Sequence, residues 1–174
     1  IDKDTLIEEH IAGLPGDDFI KHLGDIDTFN QIRIAKEFVK FNERCFVRLL
    51  GDMRSYNYVV DVTPDFEEAQ FRIRAIDFDQ QCYEGRKNLY LPQFFKENKE
   101  LVALVQKHFN KNVVQQYQQE ERTLMARRII ASKEQLSELL KSLEKESLSQ
   151  PDKIEQLKSE LFSHFEINSK DIIT

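Results

Sequence analysis

Gly51-Asp52-Met53-Arg54-Ser55-Tyr56-Asn57, followed downstream by Ala75-Ile76-Asp77-Phe78-Asp79, is the stretch on which the reading of this chain turns. An Asp and an Asn five positions apart on a loop, then an Asp closing a strand, offer one carboxylate for an acceptor hydroxyl and oxygen ligands for magnesium on a nucleotide. In that reading Asp52 orients the hydroxyl and takes its proton, Asn57 and Asp77 bind the metal, and Arg54 points its guanidinium at the transferring phosphate. Asp79 is either a third ligand or a solvated charge. Plainer readings stand beside these: Asp52 after Gly51 is equally a turn residue, Asn57 a turn cap, and Arg54 a surface ion-pair partner. Asp77 resists a plain reading, because a carboxylate directly after residues 71–76 is expected to be buried, and a buried carboxylate needs a partner or a metal.

Upstream, apolar residues recur at Phe29, Ile32, Ala35, Phe38 and Val39 and thicken into Phe46, Val47, Leu49 and Leu50 with no Gly or Pro between. This predicts a long helix over 28–50, capped by Asp27 or Thr28 and stopped at Gly51. The segment before it, with Gly13, Pro15, Gly16 and Gly24, reads as short helices broken by turns. Between the two motifs, residues 58–62 and 71–76 are strand formers flanking the turn residues Thr63, Pro64 and Asp65, which predicts a hairpin. An antiparallel pair sets Asn57, at the start of one strand, beside Asp77, at the end of the other. Residues 80–88 read as a loop. From Pro92 onward the periodicity is helical, with a capping box of Ser132 and Gln135 opening one helix and Pro151 opening the last. The fold class is therefore mainly α with a small antiparallel β-hairpin. One domain is expected, with short helices and turns over 1–27, helix, loop, hairpin and Asp over 28–79, and a helical subdomain over 80–174.

The chain has 174 residues, of which 40% are apolar and 32% charged, with a net charge of -6. That suffices for the core of one domain. It supplies no basic field for nucleic acid or anionic lipid, so neither a nucleic-acid nor a membrane partner is expected. No apolar run approaches the roughly 20 residues that span a bilayer, and no basic-then-apolar leader opens the chain, so a cytoplasmic location is expected. Cys45 and Cys82 lack metal or redox spacing and read as a buried thiol and a loop thiol in a reducing compartment. The four histidines, His10, His22, His108 and His164, are scattered, which argues against a histidine metal site. Tyr56 and Tyr58 read as packing residues, and Arg122, Arg127 and Arg128 as a solvated, salt-bridged helix face.

The order of long helix, Gly51 to Asn57 loop, hairpin and Ile76-Asp77-Phe78-Asp79 resembles the C-terminal lobe of the protein-kinase-like superfamily, in the flavour of its aminoglycoside phosphotransferase, choline kinase and RIO branches. The resemblance implies a kinase-like α+β C-lobe, an ATP-dependent phosphotransferase activity, and ATP and Mg2+ as cofactors. It carries the family's base to Asp52, its loop metal ligand to Asn57, its metal-binding aspartate to Asp77, and its phosphate-contacting cation to Arg54. Motif support extends over 28–79, and the later helices match the lobe's helical subdomain in general character. Leu50 stands where a histidine often precedes the loop, and Asp79 where a glycine often follows the Asp-Phe pair.

Upstream of the long helix there is neither a glycine-rich phosphate loop nor a Val-Ala-Ile-Lys-like strand, whereas the family's N-terminal lobe takes on the order of a hundred residues. That lobe is expected to lie outside this chain or on a partner chain, an expectation that Ile1 in place of a methionine strengthens, and this chain alone is expected to be inactive. The partners implied are a nucleotide and a hydroxyl acceptor of unknown identity. A small molecule is favoured over a protein, because the loop after Asp79 is short and lacks an Ala-Pro-Glu-like anchor. Two alternatives stand: a non-catalytic, kinase-derived interaction module, and an unrelated helical module in which these motifs are turns.

Overall fold

A computed structural model of the chain describes residues 12–65, 68–81, 83–143 and 150–165, which leaves Cys82 and His10 outside the described residues. Its spine is a helix, Thr28–Val47, that buries Ile34, Ala35, Phe38, Phe41, Cys45 and Phe46 along one stripe at three- and four-residue spacing. Asp27 is its cap, the side chain accepting from the Asn30 amide at 3.0 Å. The hydrogen bonds from Asn30 hold the Asp27 carboxyl below its ordinary value.

The helix stops three residues earlier than its apolar run, for a local reason. Leu49 adopts a left-handed φ of 52°, its amide donates to the Phe46 carbonyl at 3.1 Å, and the Leu50 amide donates to the Cys45 carbonyl at 2.9 Å. This is the Schellman closure, with leucine where glycine is usual. The left-handed leucine costs about 1 kcal/mol, and burying Leu50 in the core returns about 2 kcal/mol, so the stop holds.

Before this helix, Leu14–Pro15 forms a strand (β1) and Gly16–Lys21 a short helix (α1); Thr28–Val47 is α2. The expectation of helices and turns alone before α2 is thus corrected by β1. After α2 come β2, Tyr58–Asp65, and β3, Glu68–Ala75. The three make an antiparallel sheet in the order β1-β2-β3. β2 and β3 pair from Tyr58 opposite Ala75 to Asp65 opposite Glu68, so the strands run through Thr63, Pro64 and Asp65, where the turn was expected. Pro64 lies beyond the part of β2 that β1 pairs with among the described residues, Val59 and Val60. Tyr58, Val60, Ile73 and Ala75 close the core beneath α2. A Cβ on Gly16 would lie 2.2 Å from the Tyr58 ring and 2.4 Å from the Ser55 carbonyl, so α1 can approach the sheet only with glycine there.

Beyond the loop, three 3₁₀ turns at Lys87–Tyr90, Pro92–Phe94 and Lys96–Asn98 lead into α3, Lys99–His108. Then follow α4, Lys111–Ala131, capped by Asn110, α5, Lys133–Leu143, and α6, Pro151–Phe165. Ser132 closes α4, its amide donating to the Arg128 carbonyl at 3.0 Å, while its own carbonyl receives the Leu136 amide. α6 lays Leu157 and Leu161 on a second cluster of Phe46, Tyr83 and Tyr90. Tyr83 is therefore a core residue, stacked on Tyr90 at 5.6 Å, whereas Tyr56, expected to pack, is 54% exposed. Among the described residues no helix is long and apolar enough to cross a membrane.

Charges also enter the core. Arg44 lies 2.5 Å from Glu37 and 3.3 Å from Glu121, and Glu37 also accepts the Ile73 amide at 2.9 Å. Arg122 meets the buried Glu43 at 2.8 Å, and His164 of α6 reaches the same carboxylate at 2.6 Å. Of the expected solvated, salt-bridged face, Arg127 and Arg128 are exposed, whereas Arg122 is half-buried and salt-bridged to a carboxylate in the core. Its partner is 79 residues away in sequence, where helix periodicity cannot see it.

Candidate functional site

The loop between α2 and β2 is fixed from several sides. The Gly51 amide donates to the Gln80 carbonyl at 3.1 Å and the Asp52 amide to the Leu89 carbonyl at 3.1 Å, so the segment after the second motif cradles the first. A Cβ on Gly51 would lie 2.8 Å from that Gln80 oxygen, a contact only glycine permits. Asp52 takes a left-handed φ of 52°, which Asp tolerates better than most residues. The Arg54 amide then returns to the Asp52 carbonyl at 2.7 Å, and a 3₁₀ turn at Ser55–Asn57 leads into β2.

The five residues singled out by sequence fall into two bonded groups, Asp52 with Arg54 and Asn57, and Asp77 with Asp79, joined by a main-chain bond between Asn57 and Ile76. Asn57 is buried, and its Nδ2 donates to the Asp52 carbonyl at 2.8 Å, which leaves Oδ1 as the acceptor end of the amide. Its main-chain oxygen accepts the Ile76 amide at 3.0 Å, extending the β2–β3 ladder by one rung and setting Asp77 next to it. The Asp77 Oδ1 in turn accepts the Asp79 amide at 3.2 Å. Partial desolvation, then the charge and hydrogen bond of Asp77, then the charge of Asp52 raise the Asp79 carboxyl above its ordinary value. Asp52, Asp77 and Asp79 therefore share one electrostatic neighbourhood. Burial of Asp77, expected from the apolar run before it, is only partial. β3 ends at Ala75, and the chain beyond leaves Ile76 40% and Phe78 43% exposed.

Arg54 is held by two carboxylates. Its Nε donates to Asp52 Oδ1 at 2.7 Å and its Nη1 to Glu97 Oε1 at 3.0 Å, with the guanidinium 5.3 Å from the centre of the Phe95 ring. The hydrogen bond and charge of Asp52 raise the Arg54 guanidinium above its ordinary value. The pair orients the Asp52 carboxylate through Oδ1 and leaves Oδ2 for a hydroxyl, while Nη2 remains for an anion.

Two residues that sequence reasoning passed over complete the support. Glu97 is the second anchor of Arg54. Asn98 is wholly buried and fully bonded: its Nδ2 donates to the carbonyls of Met53 at 2.9 Å and Pro92 at 2.8 Å, and its Oδ1 accepts the Tyr58 hydroxyl at 2.8 Å. One amide thereby ties the loop, the sheet and the helical half together. Nothing in the local pattern distinguishes either residue from a solvated helix-start residue.

An amide oxygen such as Asn57 Oδ1 and a carboxylate such as that of Asp77 are oxygen donors of the kind a hard cation takes. Crowding of Asp79 with Asp77 and Asp52 is the kind of like-charge strain a dication relieves. Among the described residues no three His, Cys, Asp or Glu side chains are placed together to hold a metal ion. Compared with known proteins, the chain matches no family model, no curated protein and no solved structure.

Proposed function

We propose that this chain forms the catalytic-loop part of an ATP-dependent phosphotransferase of the protein-kinase-like superfamily, acting on a hydroxyl acceptor. The observation that supports this most is the junction of Asn57 with both motifs at once: its side chain holds the Asp52 carbonyl and its main chain the Ile76 amide. Asp52, steadied by Arg54, presents Oδ2 to the acceptor hydroxyl and receives its proton. Asn57 Oδ1 and the Asp77 carboxylate would hold magnesium, which supplies charge neutralisation on the phosphate oxygens when bound. Asp79 adds negative charge at the same edge, and Arg54 Nη2 is the nearest cation for a phosphate oxygen. The family's glycine-rich loop and strand lysine would have to come from another segment or a partner chain.

A small-molecule acceptor and a cytoplasmic location belong to the same proposal, the second resting on the buried, unpaired Cys45 thiol. A non-catalytic interaction module is the second reading, favoured by the half-exposed Ile76 and Phe78 beside the motif. Kinetics on the intact protein separate the two. Asp52→Ala should retain magnesium-dependent nucleotide binding and lose phosphoryl transfer; equal transfer by wild type and Asp52→Ala would remove Asp52 as the base.

A further inference from the structure

A second site lies on the other strand-side neighbour of the motif, between the last turns of α2 and β3. A cleft of about 350 Å³ there is lined by Arg44, Arg48, Arg72 and Arg74, with Leu50 and Phe78 among its apolar walls. Its size falls in the range of small-ligand pockets, roughly 300 Å³ and upward. None of Asp52, Asn57, Asp77 or Asp79 lines it.

The charges around the cleft do not cancel. Among the described residues Arg44 is committed to Glu37 and Glu121, Arg74 lies 3.2 Å from Asp61, and Arg72 has only the far side of Glu37, at 3.8 Å. No ion pair to Arg48 is present among the described residues. Four guanidiniums thus share three carboxylates among the described residues, Glu37, Glu121 and Asp61. Burial first, then the charge of Arg44 and, more weakly, that of Arg128 from α4, lower the Arg72 guanidinium below its ordinary value against the opposing charges of Glu37 and Glu121. In a chain whose net charge is -6, a crowded cationic cleft is an exception that asks for an anion.

Guanidinium forks match the paired oxygens of phosphate, and Arg48 and Arg74 are exposed enough to close on one from the rim. The buried Phe41 and Ile73 and the half-exposed Phe78 add an apolar wall on which a ring can rest. We propose that this cleft binds a phosphate monoester carried on a small apolar or aromatic body, independently of the carboxylate site. The assignment uses no metal and does not rest on the phosphotransferase reading.

Isothermal titration calorimetry in EDTA, with phenyl phosphate and inorganic phosphate as probes, tests it. Phenyl phosphate should bind saturably and tighter than inorganic phosphate. The double variant Arg48→Gln/Arg74→Gln should weaken phenyl phosphate at least fivefold, while Lys111→Gln/Lys133→Gln, which removes the same charge from exposed positions on α4 and α5, should change it less than twofold. Both variants alter exposed side chains, so a urea unfolding curve confirms that each keeps its fold. Absence of saturable binding, a loss below fivefold in the arginine variant, an equal loss in the lysine variant, or no preference for phenyl phosphate would overturn the proposal.

Discussion

The side-chain amide of Asn57 donates to the main-chain oxygen of Asp52 at 2.8 Å, which makes the two ends of the loop motif one hydrogen-bonded unit. Asn57→Ala is expected to lower stability by about 1–2 kcal/mol, because the Asp52 carbonyl loses a buried donor. Asn57→Asp, which turns an acceptor toward that carbonyl, should cost no less at neutral pH. Urea unfolding measures both; an unchanged midpoint in either variant would show that the bond does not organise the loop.

Asn98 offers a sharper test of how the loop is held. Asn98→Ala strands the Tyr58 hydroxyl and the Met53 carbonyl and takes one of two donors from the Pro92 carbonyl, which keeps the Phe95 amide, and should cost about 2–4 kcal/mol. Tyr58→Phe removes a single hydroxyl and leaves one acceptor unpaired, so about 1 kcal/mol is expected. Similar losses in the two variants would mean that the contacts to Met53 and Pro92 contribute nothing.

Acid should loosen the contact between α2, α4 and α6. Burial alone would raise the Glu43 carboxyl, but hydrogen bonds from His164 and Arg122, with their charges, outweigh it and hold Glu43 below its ordinary value of 4.5. A depressed carboxyl contributes stability that is fully present above its unfolded value and is lost as pH falls through the lower folded value. The stability advantage of wild type over Glu43→Gln should therefore shrink as the pH falls below 4.5. A denaturation midpoint followed from pH 7 downward reads this out, and an advantage that persists undiminished in strong acid would contradict the pairing.

Gly51 sets the distance between the two motifs. A methyl group there meets the Gln80 carbonyl, which is main chain and cannot swing aside. Gly51→Ala is expected to destabilise by about 1–3 kcal/mol, as overpacking does, and to shift the amide resonances of Gln80 and Asp52 together. A substitution silent in both the unfolding curve and the amide spectrum would place the two segments further apart than described.

Much of this arrangement was legible from residues alone. The stripe from Phe29 to Phe46, the Asp27 cap and the alternation in residues 71–75 are local patterns, and each produced its element. The pairing of the Asn57 end of β2 with Ile76, one residue before Asp77, followed from hairpin geometry and needed no long-range information. Other features had no local signature. β1 is two residues long and contains a proline, so neither periodicity nor propensity marks it. The carboxylate partners of Arg44 and Arg122, and the three bonds of Asn98, span 40 residues or more in sequence apart from the short contacts within α2 and to Pro92. Partial exposure of Asp77 escaped because an apolar run predicts burial only while the strand lasts, and β3 ends two residues before it.

Water-proton relaxation of Mn2+·ATP, with Mn2+ standing in for magnesium, tests the central claim most directly. The account predicts a saturable relaxation enhancement with wild type that Asp77→Ala abolishes and Asp52→Ala leaves within twofold. Equal enhancement by wild type and Asp77→Ala, or none with wild type, would contradict a metal-nucleotide site built on Asn57 and Asp77.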